Sequence, residues 1–236
     1  MFNASWIRRH FIAIAFGTLA NCWLGGHAQA ATVPSPTGRY VVLVVGDSLS
    51  AEYGLRRDTG WVKLMERRVN KRHIDAEVVN ASISGDTTSG GRSRLAALLA
   101  RHHPSHVIIE LGANDALRGL PVSETAANLT AMARTSQAAG AQVVLVGIQV
   151  PPNYGRRYTE EFAGVFTEVA RAEHAALVPF LLKGVADAPE PLRWFQADRI
   201  HPKEEAQPML LDNVWPVVEP LLKPGKQPAR IKAPKR

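Results

Sequence analysis

Residues 41–50 read VVLVVGDSLS, an unbroken apolar run that ends in a glycine, an acid and a serine. Apolar runs without alternation are typical of strands that are covered on both faces. Similar runs occur farther along the chain, at residues 77–79, 106–111, 142–148 and 177–180. Stretches with helical periodicity lie between and after them, near residues 60–72, 91–102, 123–139, 158–174 and 203–220. This alternation predicts one doubly wound α/β domain, with a parallel sheet and helices on both faces.

Three residues allow finer predictions about this fold. Ser123 is expected to cap the helix near residues 123–139, and Gly140 is expected to end it. Glu110 lies in an otherwise apolar strand, so it needs a hydrogen-bonding partner if it is buried. We expect it to support the loop that carries Asn114.

The first 30 residues have the pattern of a secretory signal peptide. Arg8 and Arg9 precede an apolar run, and an Ala-x-Ala site ends at Ala30, so we expect export and cleavage after Ala30. Two other interpretations remain: the segment stays as an uncleaved anchor, or Cys22 is lipidated, although Asn21 is bulkier than the residue that a lipidation site prefers. The remaining chain divides into a linker, a folded domain and a basic, proline-rich disordered tail, at residues 31–39, 40–222 and 223–236.

The formal net charge of +7 is concentrated at the two ends of the chain. Without the eight basic residues of the leader and the last fourteen positions, 20 basic residues face 21 acidic ones. The folded body is therefore not basic, and we expect no nucleic-acid partner. The tail is a candidate for contact with an anionic membrane surface. Because Cys22 is the only cysteine, zinc-finger, iron–sulfur and cysteine-protease sites are excluded.

Polar residues follow the predicted strands, at the edge where open parallel sheets bind their ligands. Ser48 comes after the first strand, where a helix is expected to begin; Gly85 and Asn114 come after the second and third strands. Asp198 and His201 stand near the end of the chain, in DRIHP. Acyl transfer requires this set of parts: a nucleophile, a base with an orienting carboxylate, and donors for an oxyanion.

In this interpretation His201 accepts the proton of Ser48, and Asp198 orients the imidazole ring. The oxyanion would be bound by three donors, which are the N–H groups of Ser48 and Gly85 and the side-chain amide of Asn114. Activity should fall on acidification, because only a neutral imidazole can accept a proton.

Five segments spread over roughly residues 40–220 resemble the SGNH, or GDSL, hydrolase family, and within it the branch of bacterial thioesterase I/lysophospholipase L1 and arylesterases. They are GDSLSAEYG, VVNASISGDTTSGG, ELGANDALRG, PPNYGRRY and DRIHP. The resemblance implies a flavodoxin-like fold, no metal or cofactor, and a periplasmic enzyme with broad activity on thioesters, aryl esters and lysophospholipids. We expect a monomer whose partner is a small-molecule acyl ester or thioester substrate. It also implies substrate contacts by residues of the strand-end loops, namely Asp47, Leu49, Ala113, Pro151, Asn153, Tyr154 and Ile200.

Other interpretations of the same sequence remain. A carbohydrate O-deacetylase of the same family, a lipid-binding protein without turnover and a polyanion-binding protein are the alternatives. A Walker A loop is excluded because Gly91 stands where lysine is required, and no G-x-S-x-G pentapeptide is present. The histidines at 102, 103 and 106 are either a metal-binding cluster or solvated residues around Pro104.

Overall fold

The structure is a computed structural model that describes residues 39–150 and 152–223. The predicted leader, the tail from residue 224 onward and Pro151 lie outside the described residues. No helix in the described part of the chain is long and apolar enough to cross a membrane.

Five parallel strands form one sheet in the order β2-β1-β3-β4-β5. They are β1 (Tyr40–Gly46), β2 (Ala76–Asn80), β3 (His106–Glu110), β4 (Gln142–Val146) and β5 (Ala176–Val178). This is the flavodoxin-like strand order, so the predicted fold class is confirmed. All five residues of the central β3 are buried, whereas the edge strand β2 is partly exposed, as expected from their places in the sheet.

The helices fall into two packed groups. The α-helices of the described residues are α1 (Trp61–Lys71), α2 (Thr88–His102), α3 (Ala113–Leu117), α4 (Val122–Ala138), α5 (Arg156–Ala172) and α6 (Gln207–Val218). Helix α1 packs against α6, while α4 packs between α2 and α5. Because right-handed crossovers wind in opposite directions on the two sides of β1, these groups cover opposite faces of the sheet.

Helix α2 begins three residues earlier than predicted. Thr87 caps it, since its side-chain oxygen accepts the N–H of Gly90 at 3.2 Å. Position 91, inside the helix, requires a glycine because Leu111 packs closely against it. A Cβ at position 91 would lie 2.3 Å from Leu111 Cδ1. Gly91 therefore serves close packing between α2 and Leu111.

Two other local predictions have mixed outcomes. Ser123 does not cap α4, because the helix already begins at Val122 and Pro121 occupies the capping position. Gly140 is confirmed as the stop, with a left-handed φ of +86° just beyond the end of α4. Residues 203–220 form a short 3₁₀ helix, α6 and the beginning of a second 3₁₀ helix rather than one helix.

The winding of the chain reverses at β1, which lies between β2 and β3. In such sheets the crevice beyond the carboxyl ends of the two strands at the reversal is the expected ligand site. The turn after β1 and the short α3 after β3 both lie at this edge. Residues 48–54 form hydrogen-bonded turns and not the helix that was expected to begin at Ser48.

Candidate active site

The side chains of Ser48, His201 and Asp198 form a continuous hydrogen-bonded chain at this edge of the sheet. Nε2 of His201 lies 2.8 Å from Oγ of Ser48, and Nδ1 lies 2.7 Å from Oδ2 of Asp198. Ser48 and His201 are 153 positions apart in the chain. The fold therefore brings together the three residues that were predicted as nucleophile, base and orienting carboxylate.

The carboxylate of Asp198 is held by its own loop. Its Oδ1 accepts the backbone N–H groups of Ile200 at 2.9 Å and His201 at 3.0 Å. Burial raises the pKa of Asp198, but these N–H groups and the imidazole outweigh burial and lower that pKa to about 2. The ionised carboxylate favours the tautomer with a proton on Nδ1, which leaves Nε2 free to accept the proton of Ser48.

The loop that carries His201 is closed by an antiparallel bridge between Phe195 and Pro202. The N–H of Gln196 donates to the carbonyl of His201 at 2.8 Å, and its side-chain amide donates to the carbonyl of Tyr53 at 2.9 Å. The ring of Tyr53 lies 4.3 Å from the imidazole, centroid to centroid, at an interplanar angle of 39°. The turn after Ser48 thus supports the histidine through Tyr53, a residue that sequence reasoning missed.

The N–H groups of Ser48 and Gly85 donate no hydrogen bond to any described residue, so both are available to a ligand. Ile83 fixes the Gly85 loop beside β1, because its N–H donates to the carbonyl of Gly46 at 3.0 Å. Gly85 has a φ of +80°, a conformation that favours glycine. A Cβ there would meet only Arg118, at 3.9 Å, so the approach to this N–H is open.

Asn114, in the first turn of α3, already uses both hydrogens of its amide. Nδ2 donates to Oδ2 of Asp47 at 3.1 Å and to the carbonyl of Asp86 at 2.9 Å. A primary amide carries two donor hydrogens. An oxyanion at this site must therefore share one of them or take the place of one of these acceptors.

Arg94, on α2, anchors the loop that carries Gly85. Its Nε donates to Oδ2 of Asp86 at 2.8 Å, and a terminal nitrogen donates to the carbonyl of Ala81. The other terminal nitrogen reaches the carbonyl of Gly46 at 3.5 Å. One guanidinium therefore ties both ends of the loop to the end of β1.

Two buried carboxyl groups lie next to the turn that carries Ser48. Oε2 of Glu110 accepts the hydroxyl of Ser50 at 2.6 Å and the N–H of Asp47 at 3.4 Å. Burial raises the pKa of Asp47 to about 7. Burial, with the neighbouring Asp47, raises the pKa of Glu110 well above its ordinary value.

The prediction that Glu110 supports the Asn114 loop was therefore wrong. Glu110 is in register with Gly46 on the neighbouring strand, so its side chain reaches the turn after β1. A Cβ at position 46 would lie 2.9 Å from Oε2 of Glu110 and 2.8 Å from Ser50. Gly46 thus provides the space in which this carboxyl group holds the turn.

The predicted substrate contacts are only partly at the surface of the crevice. Asp47 is fully buried and Leu49 belongs to the hydrophobic core, so burial contradicts the prediction that their side chains contact a substrate. Ile200, beside His201, is 46% exposed, and Ala113 is half-buried at the start of α3.

The segment after β4 shows no direct link to the site. Tyr154 is half-buried and its ring stacks on that of Tyr158 at 6.1 Å, while Asn153 is exposed. No hydrogen bond or ring contact of the described residues joins either of them to Ser48 or His201. Pro151 lies outside the described residues.

The histidines near β3 do not form a metal site. No group of three or more metal-ligating side chains occurs among the described residues. His106 is buried, with Nδ1 2.9 Å from the hydroxyl of Ser105 and its ring edge-on to Tyr40. Burial lowers the pKa of His106 to about 4, so it is a neutral structural residue at neutral pH.

Comparison with known proteins identifies relatives of this chain. The sequence model described as the GDSL-like Lipase/Acylhydrolase family matches residues 44–207. The chain is 53% identical over 181 residues to Esterase TesA of Pseudomonas aeruginosa, which covers 77% of this chain and 89% of that protein.

Two further relatives are similar over comparable lengths. Thioesterase 1/protease 1/lysophospholipase L1 of Escherichia coli K12 is 40% identical over 181 residues, which covers 77% of this chain and 84% of that protein. The crystal structure of the psychrotrophic esterase EstA from Pseudoalteromonas sp., inhibited by monoethylphosphonate, matches with a TM-score of 0.72 and 42% identity. It covers 77% of this chain and 98% of that chain.

Proposed function

The chain belongs to the GDSL-like lipase/acylhydrolase family, and we propose that it hydrolyses acyl esters and thioesters through an acyl-enzyme on Ser48. The observation that carries this proposal is the hydrogen-bonded chain from Ser48 through His201 to Asp198, with distances of 2.8 Å and 2.7 Å. The names of the relatives, an esterase and a thioesterase/lysophospholipase among them, support the same class of reaction.

Acylation begins when Nε2 of His201 accepts the hydroxyl proton of Ser48 while Oγ attacks the ester carbonyl carbon. The new C–O bond converts the carbonyl oxygen into an oxyanion. As the tetrahedral intermediate collapses, the bond to the leaving alcohol or thiol breaks, and the imidazolium returns its proton to the leaving group. Asp198 stabilises the imidazolium during this step because its carboxylate faces Nδ1 at 2.7 Å.

Deacylation repeats the sequence with water as the nucleophile. His201 accepts a proton from water, hydroxide attacks the acyl carbon, and the proton is returned to Oγ of Ser48 as the carboxylic acid leaves. The same base therefore serves both half-reactions, and the enzyme is restored without a cofactor. Product release in two stages corresponds to ping-pong kinetics.

The oxyanion is stabilised by the N–H groups of Ser48 and Gly85, with Asn114 as the third donor. Because both hydrogens of the Asn114 amide are engaged at rest, we assign the one that faces Asp47 to the oxyanion. The contact to the carbonyl of Asp86, at 2.9 Å, then keeps the amide in place. Loss of one such donor from an enzyme of this kind costs about 2.7–4 kcal/mol of barrier.

A series of p-nitrophenyl esters from acetyl to palmitoyl, together with an acyl-thioester, tests the proposal. We expect turnover by the wild type and a loss of about 10⁴-fold or more in Ser48→Ala. Ser123→Ala, an exposed serine on α4, is the matched control and should keep full activity. Equal rates for the wild type and Ser48→Ala would indicate a binding protein without turnover.

The same series separates an esterase of broad range from a carbohydrate O-deacetylase. We expect hydrolysis over several chain lengths, whereas a strong preference for acetyl would favour the deacetylase. The acyl preference is read from kcat/KM, since that ratio compares transition-state binding between substrates.

We also propose that the protein is exported, from the signal-peptide pattern of its first 30 residues. The test is N-terminal sequencing of the protein recovered from a periplasmic extract. A first residue of Ala31 supports the proposal, a lipid-modified Cys22 would replace it with a lipoprotein, and an intact N-terminus in the cytoplasm would overturn both.

A further inference from the structure

Helix α3 and the residue that caps its C-terminus, Arg118, present two side chains to the same loop. Asn114 and Arg118 are four residues apart, a spacing that puts side chains on one face of a helix. Asn114 donates to the carbonyl of Asp86 at 2.9 Å, and a terminal nitrogen of Arg118 donates to the carbonyl of Gly85 at 2.8 Å. The guanidinium is therefore held beside the amide, next to the glycine whose N–H faces the crevice.

Arg118 is exposed and forms no ion pair with a described carboxylate. The two neighbouring carboxylates are already satisfied. Asp86 is bound by Arg94 at 2.8 Å, and the buried Asp115 accepts the N–H of Thr88 at 2.9 Å. A guanidinium has five N–H donors, and the single contact to Gly85 leaves most of them directed toward solvent at the rim of the site.

Exposed aliphatic side chains stand in the two segments that carry Arg118 and its partner Gly85. Leu117, directly before it, is 49% exposed, and Ile83, two residues before Gly85, is 53% exposed. An exposed guanidinium with aliphatic side chains in the adjoining segments can combine hydrophobic contact with an ion pair, because it is weakly hydrated and matches the geometry of carboxylate and phosphate. This combination suits a substrate that has an anionic group close to an apolar part.

We propose that Arg118 is a subsite for an anionic group, phosphate or carboxylate, carried by the ester substrate close to the scissile carbonyl. The proposal rests on the proposed esterase function and defines its substrate class. Arg118 remains bonded to Gly85 through one nitrogen and binds the anion through the others. The anion is then held within a few ångströms of the oxyanion donors, where it orients the ester without taking part in bond making or breaking.

Two matched pairs of esters test the subsite. One pair carries its charge on the leaving group: the butyryl ester of 4-hydroxybenzoate and the butyryl ester of methyl 4-hydroxybenzoate. The other pair carries its charge on the acyl side: the p-nitrophenyl monoester of glutarate and p-nitrophenyl butyrate. Steady-state kcat and KM are measured for the wild type, Arg118→Gln and Arg118→Lys.

For at least one pair, we expect Arg118→Gln to lower kcat/KM for the anionic ester about threefold to tenfold more than for its neutral partner, mainly through KM. Arg118→Lys keeps the charge and should retain most of the discrimination. The pair that responds shows whether the anion belongs to the leaving group or to the acyl group. Arg101→Gln, which removes an exposed arginine at the far end of α2, is the charge-matched control and should change neither ratio.

A loss of the same factor for all four esters would overturn the subsite, because it would mean that Arg118 only positions Gly85. This failure differs from failure of the esterase proposal, in which the wild type hydrolyses the neutral esters no faster than Ser48→Ala. Melting temperatures of both Arg118 variants show whether a uniform loss of activity reflects unfolding. The neutral esters report any loss of activity that does not depend on charge.

Discussion

Nε of Arg94 and Oδ2 of Asp86 are 2.8 Å apart, and this ion pair lies one residue beyond Gly85. The side chains are 20% and 12% exposed, so the pair is shielded more than the other arginine–carboxylate pairs of the described residues. Because the carbonyl of Asp86 also accepts the amide of Asn114, the pair fixes two of the three proposed oxyanion donors. This connection between a helix side chain and the oxyanion hole yields the first prediction.

Replacing Arg94 by alanine should lower kcat about tenfold to a hundredfold with little change in KM, because displaced donors bind the transition state less well. Arg94→Lys should fall in between, since it keeps the charge but cannot bridge two carbonyls. Steady-state kinetics on a p-nitrophenyl ester measure both effects.

The control for Arg94 is Arg134→Ala. Arg134 pairs with Glu173 at 2.8 Å on the surface of α4, away from the proposed site, and its loss should leave kcat unchanged. A rise in KM with unchanged kcat after Arg94→Ala would contradict the positioning role.

The tilted ring contact between Tyr53 and His201 gives the second prediction. Aromatic contacts of this kind contribute about 0.5–1.5 kcal/mol, so Tyr53→Leu should lower kcat/KM about twofold to tenfold. Tyr53→Phe keeps the ring and should be close to wild type. If Tyr53→Phe lost as much activity as Tyr53→Leu, the hydroxyl and not the ring of Tyr53 would be the important group.

The Asp198 carboxylate gives the third prediction. Asp198→Asn removes the carboxylate charge that favours the tautomer with a proton on Nδ1, so it should lower kcat by about 10²–10⁴-fold, as in other triads. Asp75→Asn, whose side chain is 81% exposed beside Arg39, is the matched control. Because the pKa of Asp198 is lowered to about 2, an acid limb of the wild-type rate profile near neutral pH cannot come from Asp198. Activity that persists in Asp198→Asn would remove the carboxylate from the mechanism.

Glu110 gives a prediction about stability and pH. The pKa of Glu110 is raised in the folded protein. Its contribution to the free energy of unfolding is therefore present at low pH and is lost as the pH rises through the folded pKa. A glutamine at position 110 cannot ionise, so the Glu110→Gln variant does not lose this stability as the pH rises. The variant should therefore gain on the wild type as the pH increases, by at most about 1.4 kcal/mol per pH unit.

Thermal unfolding at pH 5 and pH 9 measures this difference for Glu110→Gln. Glu124→Gln, an exposed glutamate on α4, should show no pH-dependent difference from the wild type. A constant difference between Glu110→Gln and the wild type at both pH values would mean that Glu110 does not titrate in this range.

Much of the fold could be predicted because the information is local. Unbroken apolar runs mark strands that are buried on both faces, and β1 and β3 have that burial. Helix limits were less accurate where local signals compete. Ser123 resembles a cap, yet Pro121 already sets the start of α4, and the five residues of α3 are too few to show a helical period.

The sequence predicted those site residues whose chemical type and position after a strand or in a short motif identify them. Ser48, Asp198 and His201 could be named because their chemistry is restrictive and because they follow predicted strands or share a short motif. Tyr53 and Arg94 act through contacts that only the folded chain creates, and no sequence pattern marks an arginine that will reach three separate groups. The partner of Glu110 depended on strand register, which the order of segments alone does not specify.

The most direct test of the central claim is labelling with a fluorophosphonate, followed by mass mapping of the modified peptide. The reagent transfers its phosphonyl group to an activated serine and leaves a stable tetrahedral adduct. The assignment of Ser48 as nucleophile and His201 as base predicts one adduct, on Ser48, that disappears in Ser48→Ala and forms much more slowly in His201→Ala. An adduct on another serine, or equally rapid labelling without His201, would contradict it.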